Sequence, residues 1–312
     1  METLTKVFIG VDISKNWVDV CINPINKEMR VDNTKKGLSK LKNSLASYDV
    51  HQVVCEATGG YERLLVKTLS PDYKVWCVEP SITKAFIRSK GMRVKTDKID
   101  AKMLALFAAQ EECHYKQLHR SEGEEKLLVL TRVREDFVKT LAAEKTRLKH
   151  PLYEIPKKII SRHIDYLSKE IKNIEQEITE LINQDAVAKK KIEALKSISG
   201  IGQTVAVTLL VNMPQLGTLT GKKIAALAGV APYTRESGLY KGKSKISGGK
   251  AEVTRMLFIS ALSAIRSNSK IKEFYQRLIA AGKKGKVALV AAMRKMIVIA
   301  NAIVRDAMII NA

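Results

Sequence analysis

The chain has 312 residues, which is long enough for two domains and a sizeable hydrophobic core. Its formal net charge is +22, from 54 Lys and Arg against 32 Asp and Glu, which indicates a polyanionic partner and above all nucleic acid. A basic surface also suits an anionic membrane, but no apolar run approaches the length of a membrane span, and the first strand begins too early for a signal peptide. We therefore expect a cytoplasmic protein with no membrane among its partners.

The four cysteines, Cys21, Cys55, Cys77 and Cys113, lie far apart in the sequence. They form no CxxC pair and no cluster with histidine at the spacing of a zinc site. Three of them fall inside apolar, strand-like runs, which predicts buried and reduced thiols in a cytoplasmic protein.

Short apolar runs separated by turn residues predict an α/β arrangement in the first third of the chain. The expected order is three strands, helix, strand, helix, strand and then helices, as in the ribonuclease H-like fold, where the ends of adjacent central strands meet. The predicted strands are 7–13, 17–23, 28–32, 51–56 and 73–79, and the predicted helices begin at Thr34, Tyr61, Ser81 and Thr96 or Asp97.

Four acidic residues lie at the points of this pattern that come together in such a fold. Asp12 ends the first strand, Glu56 ends the fourth, and Asp97 and Asp100 begin a helix that can pack across both. Crowded carboxylates repel one another unless cations lie between them, and Mg²⁺ prefers oxygen ligands. The simpler alternatives are that Asp12 caps a turn and that Asp97 and Asp100 only favour a helix N-terminus.

From Ser121 to about Asp185 the spacing of apolar residues changes to that of a coiled coil. Arg134 and Glu144 interrupt the first stripe, and Pro151 and Pro156 are expected to break the helix. The pattern predicts a long helical hairpin that serves either as a rigid spacer or, as we favour, in dimerisation. The stripes are Leu127, Leu130, Phe137, Leu141 and Leu148, then Ile160, Ile164, Leu167, Ile171, Ile174, Ile178 and Leu181.

The last third of the chain has most of the positive charge. From Lys191 to the C-terminus there are 20 Lys and Arg but only 5 Asp and Glu, which favours a nucleic-acid surface over an ordinary solvated face. This region begins with Ser197-Ile-Ser-Gly200-Ile-Gly202 between two helical segments, a pattern typical of a helix-hairpin-helix element. Its backbone N–H groups can hold a phosphate, although a tight turn alone would have the same sequence.

A loop dense in Gly, Ser and Lys runs from Gly229 to Lys250. It contains Ser237, which follows Arg235 and precedes glycine, so it can be an exposed nucleophile beside a cation that steadies a phosphate. Ser-Gly is also a common loop dipeptide, and spacing alone leaves both interpretations open. Helices are predicted after Ala251. The residues that we predict to bind nucleic acid are Gly200, Gly202, Arg235, Lys241, Lys243, Lys245, Lys250, Arg255, Arg294 and Lys295.

Taken together, these motifs resemble insertion-sequence transposases with a DEDD acid set, a family related to the Piv site-specific invertases and also described as bridge-RNA-guided recombinases. The resemblance extends over nearly the whole chain, and Gly248-Gly-Lys250 is a mild departure from the Gly-Gly-Arg subgroup. The matching motifs are Ile9-Gly-Val-Asp12, Cys55-Glu-Ala-Thr-Gly-Gly-Tyr61, Lys95-Thr-Asp-Lys-Ile-Asp-Ala101, Ile198-Ser-Gly-Ile-Gly202, Ala228-Gly-Val-Ala-Pro232, Arg235-Glu-Ser-Gly238, Ile246-Ser-Gly-Gly-Lys250 and Lys286-Val-Ala-Leu-Val-Ala-Ala-Met-Arg-Lys295.

The resemblance implies a RuvC-like nuclease domain over 1–115, a coiled-coil hairpin over 116–188, and over 189–312 a mostly helical transposase domain that contains the helix-hairpin-helix element. It implies that Asp12, Glu56, Asp97 and Asp100 bind Mg²⁺, with two ions expected, and that Ser237 attacks the scissile phosphate to form a phosphoserine–DNA intermediate. Homodimers or homotetramers would assemble on a structured guide RNA that pairs with donor and target DNA. The acids of one protomer would then act with the serine of another.

Two alternative functions remain open from the sequence. One is a metal-dependent nuclease of the Holliday-junction-resolving type, in which water replaces Ser237 as the nucleophile. The other is a basic regulatory protein that binds nucleic acid and uses none of the acids. A covalent DNA adduct separates the recombinase from the nuclease, and metal-dependent cleavage excludes the regulatory protein.

Overall fold

The computed structural model describes residues 6–91, 97–111, 121–150, 153–234, 236–237, 240–241 and 244–309; for 97–99, 236–237 and 240–241 it describes the backbone only. The chain divides into two compact units, Met1–His119 and Arg120–Ala312, here called the N-terminal and C-terminal units. The first is built on a mixed sheet, and the second is mostly helical.

Five strands form the sheet of the N-terminal unit, in the order β3-β2-β1-β4-β5. The central strand β1 pairs antiparallel with β2 and parallel with β4, so β1 and β4 end at the same edge. The predicted order of strands and helices is confirmed, although β5 is shorter than expected. The strands are β1 Lys6–Ile13, β2 Trp17–Asn23, β3 Lys27–Asp32, β4 Asp49–Glu56 and β5 Val75–Val78.

Helices cover both faces of this sheet, which explains why its central strands are apolar throughout. The helices α1 and α2 pack on one face through fully buried leucines such as Leu38 and Leu65. The helix α4 covers the other face, where Leu104 and Phe107 pack against Val54 of β4. The helices are α1 Lys35–Leu45, α2 Glu62–Leu69, α3 Pro80–Ser89 and α4 Asp97–Gln110.

The backbone of α4 lies directly on Gly10 of β1. A Cβ atom built at Gly10 would come within 2.1 Å of the Ala105 amide nitrogen and 2.2 Å of the Ala101 carbonyl oxygen. Only glycine permits this approach, and Ala101 and Ala105 fill the remaining space beside the buried Cys21. Of the other cysteines, Cys55 is buried, Cys77 is half-buried and neither is in a disulfide, while Cys113 lies outside the described residues.

The C-terminal unit is built from eight helices and four two-residue strands within the described residues. Its core gathers fully buried side chains from α7 through α12, among them Leu195, Leu209, Ile224 and Leu257. The elements are α5 Glu122–Arg147, α6 Glu154–Gln184, α7 Ala186–Lys196, α8 Gln203–Asn212, α9 Gly221–Leu227, β6 Pro232–Tyr233, β7 Glu236–Ser237, β8 Tyr240–Lys241, β9 Lys245–Ile246, α10 Ala251–Ser267, α11 Ser269–Ala280 and α12 Gly285–Ile309.

Helices α5 and α6 form the long pair that the heptad pattern predicted. Polar contacts explain why Arg134 and Glu144 interrupt the apolar stripe of α5. Arg134 donates to the Glu175 carboxylate of α6 at 2.6 and 2.8 Å, and the buried Glu144 accepts from Arg147 at 2.8 Å. The expected break between the two helices is confirmed, since α5 ends at Arg147 and α6 begins at Glu154, and Pro151 lies outside the described residues. Pro156 lies in the first turn of α6, where its missing N–H has no helical acceptor to lose.

Helix α12 is long and apolar enough to cross a membrane by length and composition, which corrects the expectation that no apolar run approaches the length of a membrane span. Half of the most apolar 18-residue stretch of this helix is buried inside the protein. Its Ala292, Met296 and Ala300 are fully buried in the core of the C-terminal unit, as in the central helix of a globular domain. It is therefore weak evidence for a membrane span.

The close approach at Gly10 gives a direct test of the packing. Gly10→Ala forces α4 away from the sheet, and we expect it to lower the free energy of unfolding by about 1–3 kcal/mol, the usual cost of overpacking. Chemical denaturation measures this change. Gly123→Ala is the matched control because its Cβ would meet no atom closer than 3.9 Å. Equal stability of the Gly10→Ala and wild-type proteins would contradict the described packing.

Candidate active site

Two of the predicted acids lie side by side at the carboxyl ends of neighbouring parallel strands. The pairing of β1 with β4 places Val11 opposite Cys55, and Asp12 and Glu56 are the next residues along the two strands. Because side chains alternate along a strand, Asp12 lies on the same face as Gly10, and Glu56 on the same face as Val54. Both positions therefore face α4, which packs on Gly10 and Val54.

The direction of α4 brings the other two acids to the same edge. At the C-terminal end of α4, the buried Gln52 of β4 donates hydrogen bonds to the carbonyl oxygens of Ala108 at 2.6 Å and Glu111 at 2.7 Å. Nearer its start, Ala101 lies on Gly10. The helix thus runs antiparallel to β1, and its first turn, with Asp97 and Asp100, lies toward the end of β1 that contains Asp12.

The donor chemistry of this edge suits a divalent metal ion. The four residues supply carboxylate oxygens only, which is the donor chemistry that Mg²⁺ prefers, and the backbone directs all four to one edge. Among the described side chains, no three His, Cys, Asp or Glu residues are grouped closely enough to hold a metal. The side chain of Asp97 lies outside the described part of the chain. The fit therefore rests on donor chemistry and on the positions of the strands and helix.

Glu56 is oriented by a residue that the sequence analysis missed. Thr83 of α3 is fully buried, and its hydroxyl donates a short hydrogen bond to Glu56 Oε1. Pro80 begins α3 directly after β5 and so brings Thr83 back over the end of β4. No local pattern identifies this threonine, because it approaches Glu56 only through the parallel pairing of β4 with β5.

The loop after Glu56 is organised by Glu62, the first residue of α2. Glu62 Oε2 accepts from the Thr58 hydroxyl at 2.7 Å and from the amides of Thr58 and Gly60 at 3.1 and 2.8 Å. Burial alone would raise the pKa of Glu62, but these hydrogen bonds to the charged form outweigh it, and the pKa lies below its ordinary value. The ionised carboxylate thereby fixes the glycine turn next to the acid edge.

A second carboxylate, Asp19, lies directly opposite Asp12 on β2. Like charges at such a cross-strand pair are destabilising, yet Asp19 is only 6% exposed. Arg30 of β3 compensates it with two hydrogen bonds of 2.7 Å, one to each carboxylate oxygen. The antiparallel pair β2–β3 thus supplies its own cation beside the acids.

In the C-terminal unit, Ser237 lies in a small two-stranded ladder rather than in an irregular loop, which corrects the expectation for 229–250. Strand β7 pairs with β8, with Ser237 opposite Tyr240, and β6 pairs with β9 outside them. The side chains of Ser237 and Lys241 are outside the described part, as are residues Arg235 and Lys243. Strands β6 to β9, residues 232–246, are here called the serine arm. The backbone places Ser237 near the tip of this arm, in the hairpin of β7 and β8.

Glycines close the base of the arm. A Cβ at Gly229 would lie 2.3 Å from the Gly248 carbonyl oxygen, and one at Gly249 would lie 2.4 Å from the Gly229 amide nitrogen. All three glycines have positive φ. The glycines of the Ala-Gly-Val-Ala-Pro and Ile-Ser-Gly-Gly-Lys motifs therefore allow the backbone segments at 229 and 248–249 to come into direct contact at the base of the arm.

Several residues predicted to bind nucleic acid have contacts inside the C-terminal unit. Lys250 donates to the Asn212 carbonyl oxygen at 2.8 Å, and Arg255 donates to the buried Glu135 at 2.7 Å. The ammonium of Lys295 lies 4.4 Å from the centroid of the Phe274 ring. Lys245 is exposed on β9, and Arg294 is half-buried on α12.

The predicted hairpin at Gly200 and Gly202 lies between α7 and α8, as expected. Gly200 has φ of +99°, and a Cβ there would lie 2.8 Å from the Ala264 Cβ, so this glycine is required for packing against α10. Gly202 precedes the first residue of α8, and a Cβ atom there would meet no described atom within 4 Å. Of the two glycines, Gly202 is therefore the one with open space around it.

Comparison with known proteins agrees with these motifs. Residues 9–156 match the DEDD-type IS110 family, described as "Transposase", and residues 192–276 match the family described as "Transposase IS116/IS110/IS902 family". The chain is 30% identical over 314 residues to the "Pilin gene-inverting protein" of Moraxella bovis, with 97% of each chain covered. The chain belongs to the IS110 transposase family.

Two further relatives extend this comparison. The pilin gene-inverting protein of Moraxella lacunata is also 30% identical over 314 residues, with 97% of each chain covered. An insertion element IS110 protein of Streptomyces coelicolor, described as an uncharacterized 43.6 kDa protein, is 33% identical over 115 residues, 36% of this chain and 28% of its own length. The two family matches together span the acid edge and the serine arm.

The hydrogen bonds of Glu62 predict a pH dependence. Since its folded pKa is depressed, its contribution to stability is present above the ordinary glutamate pKa of about 4.3 and is lost as pH falls through the folded value. Glu62→Gln should lower the melting temperature at pH 7 and flatten its decline under acid. Glu79→Gln, at an exposed residue with no capping hydrogen bond, is the control. The same acid decline in Glu62→Gln and wild type would contradict this role.

Proposed function

We propose that the protein is a DNA transposase or site-specific recombinase that cuts and rejoins DNA through a phosphoserine intermediate. The observation that most supports this is the convergence of Asp12, Glu56 and the first turn of α4 at one sheet edge. Membership of the IS110 family, whose DEDD type is typically dependent on divalent metals, adds independent support.

The N-terminal unit is proposed to be a RuvC-like nuclease domain. A five-stranded sheet with order β3-β2-β1-β4-β5, one antiparallel edge and helices on both faces is the arrangement expected of a ribonuclease H-like fold. The proposed metal ligands are the acids at the ends of the central strands, Asp12 and Glu56, together with those in the first turn of α4, Asp97 and Asp100. Bound Mg²⁺, with two ions proposed, would supply charge stabilisation for phosphoryl transfer.

Each protein group then has a defined task. Asp12 and Glu56 hold the cation at the strand ends, and Thr83 keeps Glu56 in position through its hydrogen bond. The oxygen of Ser237 attacks the scissile phosphorus, so an O–P bond to serine forms while one phosphodiester O–P bond breaks. The serine proton passes in net terms to the leaving DNA oxygen. A phosphate ester bond is conserved in the serine linkage, and the reverse attack by a DNA hydroxyl rejoins the strand.

The remaining parts of the chain fit the partners of such an enzyme. We propose that donor and target DNA and a structured guide RNA bind the basic C-terminal unit, where exposed residues such as Lys245 and the open turn at Gly202 are available. Helices α5 and α6 are proposed to join protomers into a homodimer or homotetramer. The proposed location is the cytoplasm.

The covalent intermediate is the feature that distinguishes this function from a metal-dependent nuclease. With guide RNA, Mg²⁺ and end-labelled junction DNA, wild-type protein should give a protein–DNA band on a denaturing gel. We expect Ser237→Ala to abolish this band completely, because alanine has no oxygen to form the ester. The control Ser244→Ala removes an exposed hydroxyl of the same arm, which lies 3.2 Å from the Thr234 hydroxyl.

Two results would contradict the proposal in different ways. An adduct that persists in Ser237→Ala would assign the nucleophile to another residue. Metal-dependent cleavage that persists in Ser237→Ala with no adduct in either protein would identify a nuclease that uses water.

A further inference from the structure

An exposed tryptophan lies beside the acid edge of the N-terminal unit. The chain has two tryptophans, and they differ in environment. Trp76 is half-buried, with its ring centroid 5.1 Å from that of Phe107 of α4, whereas Trp17 is 38% exposed at the start of β2. An exposed indole has no core-packing role, so its position suggests a binding function.

The position of Trp17 follows from the strand register. Asp12 lies opposite Asp19, and Trp17 is two residues from Asp19 on the same face of β2. Two residues of strand span about 7 Å, so the indole begins one side-chain position beyond the Asp12–Asp19 pair. The turn that joins β1 to β2 also exposes Lys15, which lies between the acid strand and the tryptophan.

The indole is held in place by its neighbours. The Ser14 hydroxyl donates to the Trp17 carbonyl oxygen at 2.7 Å, and the Trp17 amide donates back to that hydroxyl at 3.2 Å. The guanidinium of Arg30 lies 5.0 Å from the ring centroid and is itself fixed by both oxygens of Asp19. Asn33 joins this turn to the loop after Glu56, because its side-chain nitrogen donates to Ser14 O at 2.9 Å and Tyr61 O at 3.2 Å.

An ordered aromatic ring with a guanidinium over it and an exposed lysine two residues earlier in the chain has the chemistry of a site for unpaired nucleotides. The ring stacks on a base, and Arg30 and Lys15 attract the neighbouring phosphates. A duplex keeps its bases stacked on one another, so it cannot use the ring in this way. A phosphodiester also has to approach the acid edge for any chemistry to occur there, and Trp17 lies at that edge.

We propose that Trp17, supported by Arg30 and flanked by Lys15, stacks on an unpaired DNA base next to the scissile phosphate. This inference rests on the proposed function, because it assumes that a DNA strand enters the acid edge. Beyond the proposed function, the inference states that the DNA is unpaired at Trp17 when it binds to the acid edge. The guide RNA is the other source of unpaired bases, and we assign the site to DNA because of its position beside the acids.

Tryptophan fluorescence tests the proposal on the full chain. In the Trp76→Phe protein, only Trp17 emits, and Ca²⁺ replaces Mg²⁺ so that binding is measured apart from cleavage. Titration with a short single-stranded DNA should quench this emission and shift it. If Trp76→Phe lowers stability, the same titration of the wild-type and Trp17→Phe proteins gives the Trp17 signal by difference.

Affinity variants give the second readout. Trp17→Ala should weaken single-stranded DNA binding roughly tenfold, within the range of one lost base stack, while Trp17→Phe should retain most of it. The matched control is Ile25→Ala, which removes an exposed apolar side chain of the same unit from the turn between β2 and β3. Circular dichroism confirms that each variant is folded.

Three outcomes would overturn the proposal. They are no quenching of Trp17, equal quenching by duplex and single-stranded DNA, and tighter binding of a matched single-stranded RNA than of DNA. None of them bears on the phosphoserine adduct, which is scored on a separate gel. Conversely, absence of the protein–DNA adduct does not affect this binding measurement. Failure of one proposal can therefore be told apart from failure of the other.

Discussion

The contact between α4 and Gly10 is the constraint on which the candidate active site depends. A helix backbone normally stands off from a sheet by the thickness of two side-chain layers. Here glycine on β1 and alanines on α4 bring the two backbones into direct contact. The start of α4 consequently lies toward the ends of β1 and β4, so the backbone positions of acids distant in sequence lie toward one edge.

Charge compensation is the second condition for this edge. Asp12 on β1 lies opposite Asp19 on β2. Two carboxylates in this position are tolerated because Arg30 donates hydrogen bonds to Asp19. Glu56 is engaged by Thr83, and Glu62 is stabilised in its charged form by the turn around Gly60. Asp19 and Glu62 thus each have a local partner, and the strand positions of Asp12 and Glu56 face α4.

The sequence predicted the strand order, the helix order and the acid positions because these are local patterns of hydrophobicity and charge. It did not predict contacts made by residues remote from each other. Gln52 sits in an apolar run and looks like an error in the pattern, yet its amide caps the end of α4. Thr83 and Asn33 are unremarkable in sequence, and only the fold brings them to Glu56 and Tyr61.

Glycine and lysine patterns were ambiguous for a physical reason. Gly200 suggested a phosphate-binding turn, but a side chain there would collide with α10, so this glycine is also needed for packing. Lys250 and Arg255 counted toward the basic surface, although each is hydrogen-bonded within the C-terminal unit. Both side chains remain exposed, so composition counts the cations of a region, whereas only the fold shows which of them also have partners within the protein.

The most direct test of this account is anomalous diffraction from crystals of the protein soaked in Mn²⁺, a common substitute for Mg²⁺. We predict one or two manganese peaks at the edge of the sheet, in contact with Asp12, Glu56 and the first turn of α4, and their loss in Asp12→Asn. Manganese bound elsewhere in the protein, with none at this edge, would contradict it.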